Sequence, residues 1–208
     1  LSSLSLQQPR RLSQLQQYHI LDTPPEGQFD RLVDLASRIM GTPSAVVSFI
    51  DDHREWMKAR KNVDREVLPL EVSFGVHAIQ SDDVLVVEDT QDDVRFVKNP
   101  LVTGFSEIRF YAGAPLITPT GHRIGTIAVF DTEPRSPSPE QITHLKTLAA
   151  LTVDRLETRR DRADLDEALK IILDQSGVNT ALLDRDGVIL GVNDSWKTFA
   201  VGNGVQDL

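Results

Sequence analysis

The sequence predicts an α+β domain, with one antiparallel sheet covered by helices on at least one face. Three observations carry that expectation. Two short, β-branched, apolar runs each double back across a turn, one at residues 51–54 and one at residues 118–121. Segments with helical periodicity precede the first hairpin. A long helical segment follows the second.

Taken in order, residues 7–21 place Leu12, Leu15 and His19 at helical spacing among Gln, Arg and Ser, which predicts an amphipathic helix. Asp22-Thr23-Pro24-Pro25 ends it, since each proline restricts its predecessor and removes an amide donor. Phe29, Leu32, Val33, Leu35, Ala36 and Ile39 give a second helix to about Met40, stopped by Gly41. The period then changes to that of strands at residues 44–50 and 55–60. Residues 62–70 read as a polar loop, 73–80 as a short helix capped by Ser73, and 84–88 as a buried strand. Residues 89–96 open with acceptors suited to another short helix. Strands at 109–118 and 123–131 flank Thr118-Pro119-Thr120-Gly121.

Ser138 then caps a long helix with Pro139 at its first position. Along it Ile142, Leu145, Ala149, Thr152 and Leu156 form a coiled-coil-like stripe, read as covering the sheet, as a dimerising and signalling seam, or as both. Leu165, Leu169 and Ile172 restart the stripe out of phase, which predicts a junction rather than one unbroken coiled coil. Two short strands at 180–184 and 188–192, then a helix capped near Asn193, close the chain.

Composition removes several function classes. The 22 Lys and Arg against 31 Asp and Glu leave a net charge of −9, which argues against nucleic acid or an anionic membrane as partner. There are 0 cysteines, so disulfides, thiolate zinc sites, cysteine nucleophiles and thioether-linked cofactors are excluded. No apolar run approaches the roughly 18–20 residues that span a bilayer, so membrane insertion is not expected and the chain reads as cytoplasmic.

The stretches ILDTPPEGQFDRLVDLASRIMGTPSAVVSFIDDHREWMKA, SFGVHAI, LVVEDTQDDVRF, NPLV and RFYAGAPLITPTGHRIGTIAVFD together resemble a bacterial GAF domain. The later ILDQSGVNTALLDRDGVILGVNDSWKTFA resembles the start of a PAS domain. The resemblance implies a sheet of about six strands, helices packed on one face and a small-molecule pocket on the other. It divides the chain into a helical extension (1–13), a GAF domain (14–160), and a linker helix with a partial PAS-like segment (161–208). It further implies a sensory or dimerising module, acting as a homodimer on a downstream output domain. A histidine kinase is the favoured output and a diguanylate cyclase the next. A ligand-free dimerisation scaffold is the competing expectation.

Three chemistries of that family can be tested on the residues. Covalent bilin attachment and methionine-sulfoxide reduction both need a cysteine, and the chain has 0. The cyclic-nucleotide pattern is represented only by Lys98-Asn99 in reversed order. His77 could meet a ligand's polar edge or ligate haem, or it could simply bond neighbouring backbone; haem is the less favoured role, and no cofactor is specified. Asp82, Asp83, Glu88, Asp89, Asp92 and Asp93 read as solvated loops rather than an ion site, because the liganding pattern of a calcium loop is missing. The expected ligand set is Trp56, Phe74, His77, Asp89, Arg95, Phe96, Arg109 and Tyr111, with aromatics as walls and arginines for a carboxylate or phosphate. No catalytic residue and no metal ligand is expected.

Overall fold

The structure, a computed structural model, describes residues 4–104, 106–175 and 178–203. The chain forms two compact units, Leu1–Glu157 and Thr158–Leu208. In the first, helices α1 (Leu4–Gln17) and α2 (Gly27–Met40) precede β1 (Ser44–Ile50), β2 (Arg54–Lys61) and β3 (Val67–Pro69). Short helix α3 (Gly75–Ala78), β4 (Leu85–Val87) and α4 (Pro100–Thr103) lead to β5 (Phe110–Ile117), β6 (Arg123–Asp131) and α5 (Pro139–Gln175), whose residues from Thr158 on belong to the second unit. The sheet has 6 strands in the order β3-β2-β1-β6-β5-β4, antiparallel throughout.

Strand alternation divides the side chains between two cores. Val47, Phe49, Phe110, Ala112, Ile127 and Val129 pack with apolar residues of α1, α2 and α5. Val46, Met57, Tyr111 and Ala128 face the other way, beneath α3, α4 and their loops. The helix face is closed by local signals. Gly41 ends α2 at φ 67°, a conformation that favours glycine, and its N–H with that of Thr42 returns to the carbonyls of Arg38 and Ser37. At the start of α5, Ser138 Oγ accepts from Gln141 N–H at 3.2 Å while Gln141 Oε1 accepts from Ser138 N–H at 2.9 Å. That reciprocal pair is a capping box.

Three local expectations are corrected, and the helix read past the phase break is present. The first helix ends at Gln17, before the prolines, because His19 (φ 46°) and Asp22 (φ 56°) take left-handed backbone. The loop at 62–70 contains β3, an edge strand paired to Arg54, Glu55 and Trp56. Residues 89–96 form turns instead of a helix, with Asp89 and Asp93 carboxylates accepting from the amides of Gln91 and Arg95 two residues on. Beyond the phase break α5 stays helical to Gln175, although its buried residues end at Leu156.

Of the readings open for the α5 stripe, the structure shows the one that covers the sheet: Leu145, Ala149, Thr152 and Leu156 are buried within their own chain, and Ile142 is half-buried.

In the second unit β7 (Ala181–Leu183) pairs with β8 (Ile189–Val192), followed by α6 (Asp194–Gly202). Asn193, 1% exposed, organises this unit. Its amide donates to the carbonyls of Leu173 (2.9 Å) and Val178 (2.7 Å). Its carbonyl accepts from the amides of Thr180 and Trp196, both at 3.0 Å.

Candidate functional site

On the sheet face opposite α2 lies a cavity of about 490 Å³. Its walls come from β1, β2, β5 and β6 below and from α3, α4 and the 62–68 segment above. Most of that wall is apolar, with Val46, Met57, Leu68, Phe74, Leu101 and Ile108 contributing. Among the polar exceptions, Glu55 and Tyr111 at 4% exposure each and Asp131 at 6% are buried, whereas Asn62, Asp64, Arg65, Ser106 and Thr132 are exposed and form a rim.

Glu55 is the unusual residue. Its carboxylate accepts from Ser48 Oγ at 2.6 Å and from Ser73 Oγ, and Ser48 Oγ lies 3.1 Å from Thr126 Oγ1. Burial pushes the Glu55 carboxyl above the usual carboxylate range, against the opposing pull of the two serine hydroxyls. Ser73 is itself fixed at the entrance to α3, where its hydroxyl accepts from Val76 N–H at 3.0 Å. Gly75 permits the close approach of this helix, since a Cβ there would stand 2.7 Å from Glu55 Oε1. Tyr111 points its hydroxyl toward Thr126 without a hydrogen bond of acceptable geometry to any protein group. Burial, with the nearby Glu55 charge, raises the phenol's pKa.

Of the expected ligand set, the structure brings Phe74 and Tyr111 to the cavity. Phe96 supports them from behind, stacked on Phe74 at 4.4 Å between ring centroids, while Tyr111 stacks on Phe74 at 5.0 Å. Trp56 lies on the other face: its register with Phe49 turns it into the helix-side core. His77 is exposed, meets the edge of Phe96 at 4.9 Å, and is not part of the lining. Its pKa is lowered by partial burial and by Arg95.

The arginines are elsewhere too. Arg95 pairs with Asp93 at 2.6 Å and covers Phe96. Arg109 makes a two-point pair with Asp89, its Nε 2.8 Å from Oδ1, and that hydrogen bonding holds the Asp89 carboxyl below its ordinary range. Asp89 borders a separate open surface groove with Glu88, Asp92 and Arg135. The physical reason is shared: each arginine has a nearer carboxylate than any ligand in the cavity. Among the described residues, no group of three or more His, Asp or Glu is placed to hold a metal ion, and no helix is long and apolar enough to cross a membrane.

The residue that sequence reasoning missed is Glu55. A usable signal existed, because alternation in the 54–57 segment sets Glu55 and Met57 on the face opposite Trp56.

A six-stranded antiparallel sheet with terminal helices on one face and a cavity of about 490 Å³ on the other defines the class of α+β domain. The GAF domain pattern matches residues 24–155, well over half of the chain, and the chain belongs to the GAF domain family. It is 35% identical over 158 residues to the Cyclic di-GMP phosphodiesterase PA2567 of Pseudomonas aeruginosa, covering 76% of this chain and 27% of that protein. The chain therefore spans about a quarter of that relative's length. A domain of a sensor histidine kinase protein from Sinorhizobium meliloti superposes with a TM-score of 0.53 at 15% identity, over 69% of this chain and 97% of that one. A free methionine-R-sulfoxide reductase from Neisseria meningitidis, solved with its substrate, gives 0.55 at 14%, over 74% and 90% respectively. At such identities the two structures speak for the fold alone.

Proposed function

We propose that the chain is the sensory module of a bacterial signal-transduction protein, binding a small molecule in the Glu55–Tyr111 cavity and passing its state to an output domain. The observation that carries this reading is the cavity itself. A scaffold that bound nothing would fill this space with the available aromatics, but Trp56 lies on the other face and Phe96 sits behind Phe74. The relay follows from the sheet. The same strands carry the cavity on one face and the buried stripe of α5 on the other, so a ligand that favours one sheet geometry favours one α5 position.

In this reading residues 161–208 hold a linker helix and the start of a PAS domain, and an enzymatic signalling domain is the output. A histidine kinase and a diguanylate cyclase are the outputs expected from the sequence, and the name of the Pseudomonas relative adds a cyclic di-GMP phosphodiesterase. The module acts as a homodimer, and its seam lies on the exposed Leu165 and Ile172 of α5 rather than on the buried stripe.

Native mass spectrometry of the protein purified from its own host tests the sensor reading. A bound small molecule is expected, and Ala128→Trp, which fills the cavity floor, should remove it. Recovery of the same mass with Ala128→Trp folded would move the site elsewhere, and an unliganded protein would favour the scaffold.

A further inference from the structure

We propose that the cavity is selective for a small, partly apolar ligand carrying a protonated amine or amidine, with the Glu55 carboxylate as its counter-charge. The assignment deepens, and rests on, the sensor reading above.

The first support is the way Glu55 is satisfied. A carboxylate offers about four lone-pair sites. Here two hydroxyls, those of Ser48 and Ser73, are its hydrogen-bond donors, and no Lys, Arg or His among the described residues forms an ion pair with it. A structural carboxylate this deeply buried is ordinarily paired with a cation. Glu55 has capacity left and lines an open space instead of packed protein. The second support is the lining. No cationic side chain stands in the buried part of the cavity, so none from the protein competes for Glu55.

Charge then selects among ligands. Apart from the exposed Arg65, the titratable groups lining the cavity are Glu55, Asp64, Tyr111 and Asp131, none of which is cationic. Asp131 is already committed to Arg135, whose Nε stands 2.6 Å from Oδ2. A phosphate or carboxylate entering the buried end would meet Glu55 in a low-dielectric setting, where like charges repel strongly. A neutral donor could bond it, but an ammonium or amidinium adds charge assistance to the same hydrogen bond. The apolar walls of Val46, Met57, Leu68, Leu101 and Ile108 require an apolar body behind the cationic head.

The chain has 2 methionines, and they make a built-in test. Met57 lines the cavity, whereas Met40 lies in the core on the opposite face. Carbon-13 labelling of the methionine methyls thus gives one reporting signal and one control. The probes are benzylamine, benzyl alcohol and benzoate at neutral pH, which share a ring and differ in the head group. Benzylamine should move Met57 and leave Met40 in place, binding about tenfold more tightly than benzyl alcohol, and benzoate should not bind. Glu55→Gln should erase the preference for the amine, so that benzylamine and benzyl alcohol bind alike. Glu55→Asp, which keeps the charge, should retain a weakened preference for the amine, which covers the case of a poorly folded Glu55→Gln.

Benzyl alcohol or benzoate moving Met57 as tightly as benzylamine, or an unchanged amine affinity in Glu55→Gln, would overturn the cation assignment and leave the sensor reading intact. A Met57 signal indifferent to all three probes at millimolar concentration would overturn both.

Discussion

Lys58 Nζ stands 2.7 Å from Glu26 Oε1, and the lysine side chain is 0% exposed. The same ammonium donates to Thr23 Oγ1 at 2.7 Å and to the Pro24 carbonyl at 2.6 Å, so each of its three protons has an acceptor. Lys58 is skipped in the register between β1 and β2, where Ala59 faces Val47 and Met57 faces Ser48. A bulge thus turns a strand residue toward the 23–26 loop and ties that loop to the sheet. Lys58→Met removes the cation and strands three acceptors. Because Glu26 retains 29% exposure and can be rehydrated, the loss should fall near the low end for a broken buried pair, about 3 kcal/mol. Urea denaturation followed by tryptophan fluorescence of Trp56 reads it directly.

Gly75 and Glu55 make a second testable contact. An alanine Cβ would lie 2.7 Å from Glu55 Oε1 and 3.0 Å from Cδ, and the carboxylate cannot swing away without leaving Ser48 and Ser73. Helix propensity alone favours alanine by about 0.8–1 kcal/mol. The collision should outweigh it, since overpacking a tight site costs about 1–3 kcal/mol. Gly75→Ala is therefore expected to be destabilising in the wild type and neutral or stabilising in a Glu55→Ala background. Equal effects in the two backgrounds would separate Gly75 from Glu55.

The pH dependence of stability has a sign that isolates Glu55. Its folded pKa is raised by burial above the unfolded value of 4.5. Unfolding then releases a proton in the interval between the two values, so stability falls as pH climbs through that interval and levels off above it. The ion-paired carboxylates Asp89 and Asp93 behave in the opposite way: their folded pKa values are lowered, and their contribution is lost only as pH falls below the unfolded value of 3.8. The wild type should thus lose stability from pH 5 upward. Glu55→Gln, whose amide can still bond both serines, should flatten that slope and melt a few degrees higher at pH 8. Parallel slopes in thermal melts of the two proteins would deny Glu55 its raised pKa.

The elements were legible in the sequence because their signals are local. Gly41 and the Ser138–Gln141 box mark helix ends within a few residues, and the hairpin turns lie between the strands they join. The candidate site was much less legible, because it depends on which face a strand residue occupies and on who competes for its charge. Trp56 reads as a pocket aromatic until its register with Phe49 is known. Arg109 reads as an anion clamp until Asp89, 20 positions earlier, is found to fill its fork. The Leu145–Leu156 stripe reads equally as seam or core, since both need the same spacing; burial alone decides.

That burial moves the proposed dimer seam to a later stretch of α5. With Leu145, Leu148, Thr152 and Leu156 buried under the sheet, breaking them would unfold the domain rather than separate two copies. Leu165 and Ile172, seven residues apart with Leu169 between them, lie on one helical stripe and are 59% and 65% exposed. Two copies of α5 meeting along this stripe would cover the pair, as a heptad seam does. The double variant Leu165→Asp/Ile172→Asp places like charges in that seam, so it should shift the chain to monomer in light scattering. It should leave the melting of the first unit unchanged, because neither residue belongs to that unit's core. A dimer that survives the double substitution would put the interface on another surface, and a wild type that stays monomeric at every concentration would remove the homodimer from the signalling scheme.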